Sequence, residues 1–578
     1  MPPSGIQHSM ATLPVVAPLT NVHAVLSTPE LVTTICYELL DLLLQPVFIP
    51  MVPGQLRHLE PLRSLRALAL SCRFLSHFAL EALWSNLPDI AILLRTLPSN
   101  CWEGELDPED FWPEDSELVM KPTPELDNLK VEDCTRFTMY CRFIQRLLTD
   151  DFPSRVVDVS FFRHLKRIFG PQLPLPRLRR LRWGDCPQHP LNPFAAHFFV
   201  PSLQSIEFLI GEPRERVPRS GYDVILPLLL QNCPGIRKLT FTECGAEYED
   251  PLAQLSDIYL RWRYLTHLEV PVVSTETFIR LATGDYSEHG LARLAIGNMG
   301  TIDWDTFERT VQPQTGFTTL RHFTLSEISF DGALKLFKAS RTSLTYLRLN
   351  IRGALSGDNW ESLFRAVRDG VEPDKLEFLA LSEIPSPWRM EDEDVEYPDT
   401  ISSEHLLALL PLKNLQVLYL HTTHGYEIGD VSICQLAQGL PTLETLRLCT
   451  TRKSLSWTPA LTLNGVAQIA LRIPKLECLT IPFDAYSPGP LPLPVAVETA
   501  LECTPRKSQL CYLDVRHSPI DSATTVAPIV KEIFPNIEVI ICEAMEGHYS
   551  EKWRKVRALL GIGDEASLVD WESDDDEE

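Results

Sequence analysis

The sequence predicts an α/β chain in which a small helical head precedes a long solenoid, with parallel strands on the concave face and helices on the convex face. Three observations carry this. A pattern with apolar residues at positions one, four and six recurs thirteen times from Leu178 onward, its copies starting 24 to 39 residues apart. Amphipathic stretches closed by proline lie between copies, and the segment SLRALALSCRFLSHFALEALWSNLP from Ser64 keeps helical rather than alternating spacing.

In the head, LSTPELVTTICYELL from Leu26 places Pro29 at a helix start, with Ser27 or Thr28 as cap and Leu31, Ile35 and Leu39 on one stripe. A proline-containing connection, 45–61, leads to a second helical stretch. There Leu65, Leu68, Ala69, Cys72 and Leu75 form an apolar face that Phe78, Leu83 and Trp84 extend. An acidic, proline-rich stretch over 103–124 reads as an exposed loop. The segment 131–148 reads as one amphipathic helix with Phe137, Tyr140, Ile144 and Leu147 on a single side.

The repeated pattern includes LRRLRW at Leu178, LTYLRL at Leu344, LETLRL at Leu443 and IEVIIC at Ile537. Side chains two apart on a strand share a face, so positions four and six point into the core and positions three, five and seven point outward. One strand cannot bury such a face alone, whereas a parallel stack covered by helices can. YDVILPLLLQNCP, SICQLAQGLP, VAQIALRIP and VAPIVKEIFP each read as a helix stopped by proline, after which the chain must extend into the next strand. The period is that of a repeat solenoid, and the pattern resembles leucine-rich repeats of the irregular, helix-containing kind common in fungal proteins. The expected organisation is a disordered N-terminus (1–20), a helical module (21–90), an acidic loop with a helical cap or linker (91–175), the repeat array (176–545), and a C-terminal helix with an acidic disordered tail (546–578).

The head carries L-x-x-P-E-L-x-x-x-I from Leu26, L-x-x-L-x-x-x-C-R-F from Leu65 and A-L-W from Ala82. This arrangement resembles an F-box, although residues 40–63 make a longer connection than that family usually has. The resemblance implies a module that docks on a Skp-type adaptor and so joins a cullin ubiquitin ligase (an SCF complex), with the repeats capturing a protein substrate. It implies that Leu26, Pro29, Leu31, Ile35, Leu39, Leu65, Leu68, Cys72, Phe74 and Trp84 divide between the module's core and its adaptor-facing surface. The alternative is a leucine-rich scaffold with no ubiquitin role, its head only capping the first repeat.

A net charge of −25 and a pI near 5.1 argue against a broad nucleic-acid or anionic-membrane surface. Outward strand positions differ: Arg180, Arg182, Lys238, Arg293, Arg348, Arg447 and Arg516 stand against Glu207, Glu269, Asp514 and Glu543, with His267, His322, Tyr346, Phe378, Tyr419, His421 and Tyr512 among them. The expected substrate face, Arg180, Arg182, Lys238, His322, Tyr346, Arg348, Tyr419, Arg447, Tyr512 and Arg516, suits an acidic or phosphorylated protein segment because arginine pairs bidentately with such groups. Mixed charge on a solvated face is the competing reading.

Enzyme, cofactor and metal motifs are lacking, HTTH at His421 having no partners at metal-site spacing. No catalytic residue, cofactor or metal is therefore expected. The fourteen cysteines are scattered without a C-x-x-C pair, no apolar run reaches the length of a bilayer span, and no Lys or Arg precedes Arg57. The expectation is an intracellular chain, cytoplasmic or nuclear and not secreted, with reduced thiols.

Overall fold

In a computed structural model of the chain, the described residues are 28–44, 60–104, 120–148, 157–158, 160–185, 192–210, 222–242, 253–284, 290–313, 316–384, 400–423, 425–450, 459–486, 508–516, 518–542 and 548–563. Leu26, His424, Glu543, the acidic runs at 391–399 and 571–578, and the expected N-terminal disorder lie outside them.

The head is three helices: α1 (Pro29–Leu44), α2 (Glu60–Ser71) and α3 (Arg73–Ser85). The apolar run from Leu65 to Trp84 reads as one face, but the chain breaks at Cys72. That residue is extended (φ −154°, ψ 160°), and its Sγ caps α3 by accepting from the Leu75 amide at 3.5 Å. The break lets α2 and α3 fold back on α1 around a core of Val32, Cys36, Leu40, Leu65, Ala79 and Ala82.

All thirteen copies of the strand pattern are strands of one parallel sheet, and two short strands precede them. In order the sheet is β1 (Asn86–Leu87), β2 (Arg146–Leu148), β3 (Arg180–Asp185), β4 (Ser205–Ile210), β5 (Lys238–Thr242), β6 (His267–Val272), β7 (Arg293–Asn298), β8 (His322–Ile328), β9 (Tyr346–Arg352), β10 (Phe378–Ile384), β11 (Val417–Thr422), β12 (Thr445–Thr450), β13 (Cys478–Thr480), β14 (Tyr512–Asp514) and β15 (Val539–Ile541). Every strand pairs only with its sequence neighbours in this sheet, as a solenoid requires. Residues 131–148, expected as one helix, instead make a 3-10 turn, the helix Thr135–Cys141 and then β2.

The strand pattern alternates as its spacing dictates. In β9, Leu347, Leu349 and Ile351 are buried while Tyr346, Arg348 and Asn350 are half-exposed on the other face. Register is locked at the strand entrance, where the amides of the second and third positions share the carbonyl of the second position in the preceding repeat. Thus Gln204 and Ser205 donate to Arg179 O, Arg237 and Lys238 to Gln204 O, and Thr345 and Tyr346 to Arg321 O. This keeps equivalent side chains in straight columns across the sheet.

Helices close the convex side. Asp430–Gly439, Leu463–Arg472 and Ala523–Ile533 each end just before Pro441, Pro474 and Pro535, as the sequence predicts. Ser274, Ser329 and Ser356 cap their helices by accepting from the third amide onward, each worth about 1 kcal/mol. Two features lock particular repeats. Buried Glu383 accepts from the Leu355 amide (2.9 Å), Trp360 Nε1 (3.0 Å) and Thr423 Oγ1 (2.7 Å), binding its repeat to both neighbours. At the far end the helix His548–Leu559 buries Trp553, whose indole donates to Ser518 O at 2.8 Å.

Candidate functional site

Two surfaces merit attention: the front of the head and the open face of the sheet. The head has a fixed rear. Trp84 stacks on Tyr140 at 3.9 Å, Gln145 Nε2 donates to Tyr37 Oη at 2.9 Å, Arg177 pairs with Glu81, and His77 meets Phe143 edge-on. These contacts hold α1 and α3 to the helix Thr135–Cys141 and to the segments that lead into β2 and β3. Burial, reinforced by the Glu81 charge, pushes the Tyr37 phenol up, so it stays neutral.

The front is uncovered. Leu31 (46% exposed) and Ile35 sit one turn apart on α1, Leu62 and Leu70 (77% exposed) lie on α2, and Phe74 opens α3. Five of the fourteen large apolar side chains that stand exposed among the described residues thus belong to this one small module. Pro29 and Cys72 are also exposed, Leu39 and Leu68 are half-buried against the head's core, and Leu65 is fully buried within it. Trp84 belongs to neither group, since its ring faces the array. Leu62 and Leu70 escaped the sequence reading because they fall outside its motif positions, yet their apolar character on a charged helix was a usable signal.

On the sheet, the outward residues form columns. The third-position column reads Arg146, Arg180, Ser205, Lys238, His267, Arg293, His322, Tyr346, Phe378, Val417, Thr445, Cys478, Tyr512 and Val539, partner to partner. His322 stacks on Tyr346 at 5.7 Å, and Tyr346 on Phe378 at 4.0 Å and 10°. Burial, together with the charges of Lys238, Arg293 and His322, holds His267 below the ordinary histidine value.

The other expected face residues occupy the fifth and seventh positions, and several are engaged within the protein. Arg182 meets Glu207 at 3.1 Å, and Arg447 lies over the Tyr512 ring at 5.9 Å. Arg516 clamps the buried Asp514 carboxylate through Nε (2.8 Å) and an amino group (2.7 Å). Arg348 stands in the fifth-position column beside Ala380, while Tyr419 stacks with His421 at 6.3 Å. The sequence could place these arginines on the open face but could not reveal that the C-terminal ones are tied to their neighbours.

Among the described residues no cluster of His, Cys, Asp or Glu could hold a metal, and no helix is long and apolar enough to cross a membrane. No family model and no curated protein matches the chain. Among solved structures, a chain of the "Crystal structure of Rad7 and Elc1 complex in yeast" is similar at 15% identity, covering 67% of this chain and 83% of that chain with a TM-score of 0.35.

Proposed function

We propose that this chain is a non-catalytic substrate-recognition subunit of a cullin-type ubiquitin ligase. The head binds a Skp-type adaptor, the open face of the array holds a protein target, and partner proteins carry out ubiquitin transfer. The observation that carries this reading is the uncovered apolar front of a head whose rear is already fastened. Leu31, Ile35, Leu62, Leu70 and Phe74 are left in water within one short module, whereas the other nine exposed large apolar side chains among the described residues are spread over the rest of the chain, a pattern that suits a partner interface. Three of the five fall on the positions by which the segment resembles an F-box. The contacts that fasten head to array then supply the mechanism, because holding a target beside a ubiquitin-loaded enzyme raises its effective concentration.

The test is co-purification of the full chain with a Skp-type adaptor. The intact protein should recover the adaptor, and Leu31→Asp or Leu70→Asp should lose it without altering the unfolding temperature. An intact protein that recovers no adaptor leaves the array as a scaffold, and turnover of any substrate by the purified chain alone would overturn the non-catalytic reading.

A further inference from the structure

In the second- and third-position columns charges are sorted by repeat, a feature that concerns the array alone, while the fifth-position column is mixed, with Arg182, Glu207 and Glu269 in the first half and Arg348 and Arg447 in the second. In the third-position column, β2 to β7 carry the cations Arg146, Arg180, Lys238 and Arg293, with Ser205 and His267 between them and His322 following on β8. From β9 to β15 the same column holds no charged residue. The adjoining second-position column adds Arg179, Arg237 and Arg321 in the first half, whereas Glu377, Glu444, Glu477 and Glu538 occupy it in the second. All this belongs to a chain whose net charge is −25. Beyond Arg293 the column continues through His322 into the stacked rings of Tyr346 and Phe378, half-exposed on the same line.

From these columns we infer that the open face over β2–β10 is a docking groove for an extended, carboxylate-rich segment of a partner protein, with an aromatic residue of that segment on the Tyr346–Phe378 stack. The length follows from the sheet. From β2 to β8 six inter-strand steps at about 4.8 Å each span roughly 29 Å, which an extended chain covers with about nine residues, leaving the aromatic residue that follows to reach β9 and β10. Charge complementarity selects the segment, since a row of cations on an otherwise acidic protein concentrates anionic ligands and repels cationic ones. The aromatic stack gives the register that diffuse charge cannot, as ring on ring adds an attraction of its own. Glu444, Glu477 and Glu538, beyond the groove, stop a polyanion from running on across the whole face, which disfavours a long nucleic acid and favours a short acidic stretch. This rests on the array being the target-binding half of the proposed subunit.

The experiment uses the full chain and a fluorescein-labelled peptide of nine glutamates closing on tryptophan. Its order-reversed twin and the same peptide with lysine for glutamate serve for comparison. Anisotropy should show one glutamate peptide binding at least tenfold more tightly than the lysine peptide, with the difference shrinking as salt rises. Lys238→Glu with Arg293→Glu should weaken that binding at least tenfold, the milder Lys238→Gln should weaken it measurably, and Phe378→Ala should weaken it severalfold. Glu477→Gln, outside the groove, should leave it within twofold. Unfolding temperatures establish that the variants are folded. Equal affinity for the two charge types, indifference to the changes at Lys238 and Arg293, or displacement of the peptide by a single-stranded oligonucleotide at lower concentration would each overturn the groove. Adaptor capture by the head is read separately, so a chain that captures adaptor but not peptide refutes the groove alone, and the reverse refutes the ligase reading alone.

Discussion

The head and the array solve the same problem, covering leucine, in opposite ways. The array stacks fifteen strands and their helices so that one apolar core runs from Leu87 to Val556, and each repeat is sealed by its neighbours. The head closes only a small core of its own and leaves large apolar side chains on all three of its helices in solvent. Its stability is therefore borrowed from the array through Tyr37, His77, Glu81 and Trp84, while its front stays open. The difference teaches that exposed apolar side chains concentrate where a region has no neighbour to seal it, because the array leaves only scattered ones such as Val431 and Leu559 in solvent.

This comparison can be broken at several points, beginning where the effect should be greatest. Phe208→Ala, in the array core, should lower stability by about 3–5 kcal/mol, read by denaturant unfolding. Glu383→Ala removes the acceptor of several buried donors and should cost about 3 kcal/mol, whereas a glutamine there should retain part of the locking effect. Trp84→Ala should cost about 1–2 kcal/mol and show itself as faster proteolysis of the head with the array intact. If the head instead proved as resistant as before, the idea that it leans on the array would fail. Leu70→Asp should change stability by less than about 0.5 kcal/mol.

A smaller effect is expected from pH. Burial holds His197 and His267 below the ordinary histidine value of 6.5, outweighing for His197 the bond to Pro171 O. The unfolded chain then binds more protons than the folded one at and below that value, so stability is complete above pH 6.5 and declines as pH falls through it. Unfolding temperature should drop on acidification, and His267→Gln should reduce the drop. Thiol reactivity sharpens the contrast between the regions. Burial pushes the Cys134 thiol up to about 11 and the Cys233 thiol up to about 12, so both should resist alkylation at pH 8, while exposed Cys72 reacts.

Much of the fold was legible because its signals are local. The thirteen strands announce themselves through leucine two and three apart, and Pro441, Pro474 and Pro535 mark helix ends without reference to anything distant. Strands β1 and β2 were not legible: they are two and three residues long, and the helical spacing of Phe137 and Tyr140 runs into β2 without a breaking glycine or proline. The break at Cys72 was hidden for the same reason. The sites were legible by position but not by role. Trp84 sits in the motif, yet what fixes it is Tyr140, and Tyr37 meets Gln145 from 108 residues away. Nothing in local spacing encodes such pairings. To the motif positions of Arg180, Lys238 and Arg293 the register of the sheet adds Arg146, which β2 sets beside Arg180 in the same column.

Amide hydrogen exchange of the full chain, with and without a saturating Skp-type adaptor, tests the division of labour most directly. The account predicts that the adaptor slows exchange in α1, α2 and the first turn of α3 and leaves β3 to β15 unchanged. Protection spread over the sheet, or no protection in the head, would contradict it.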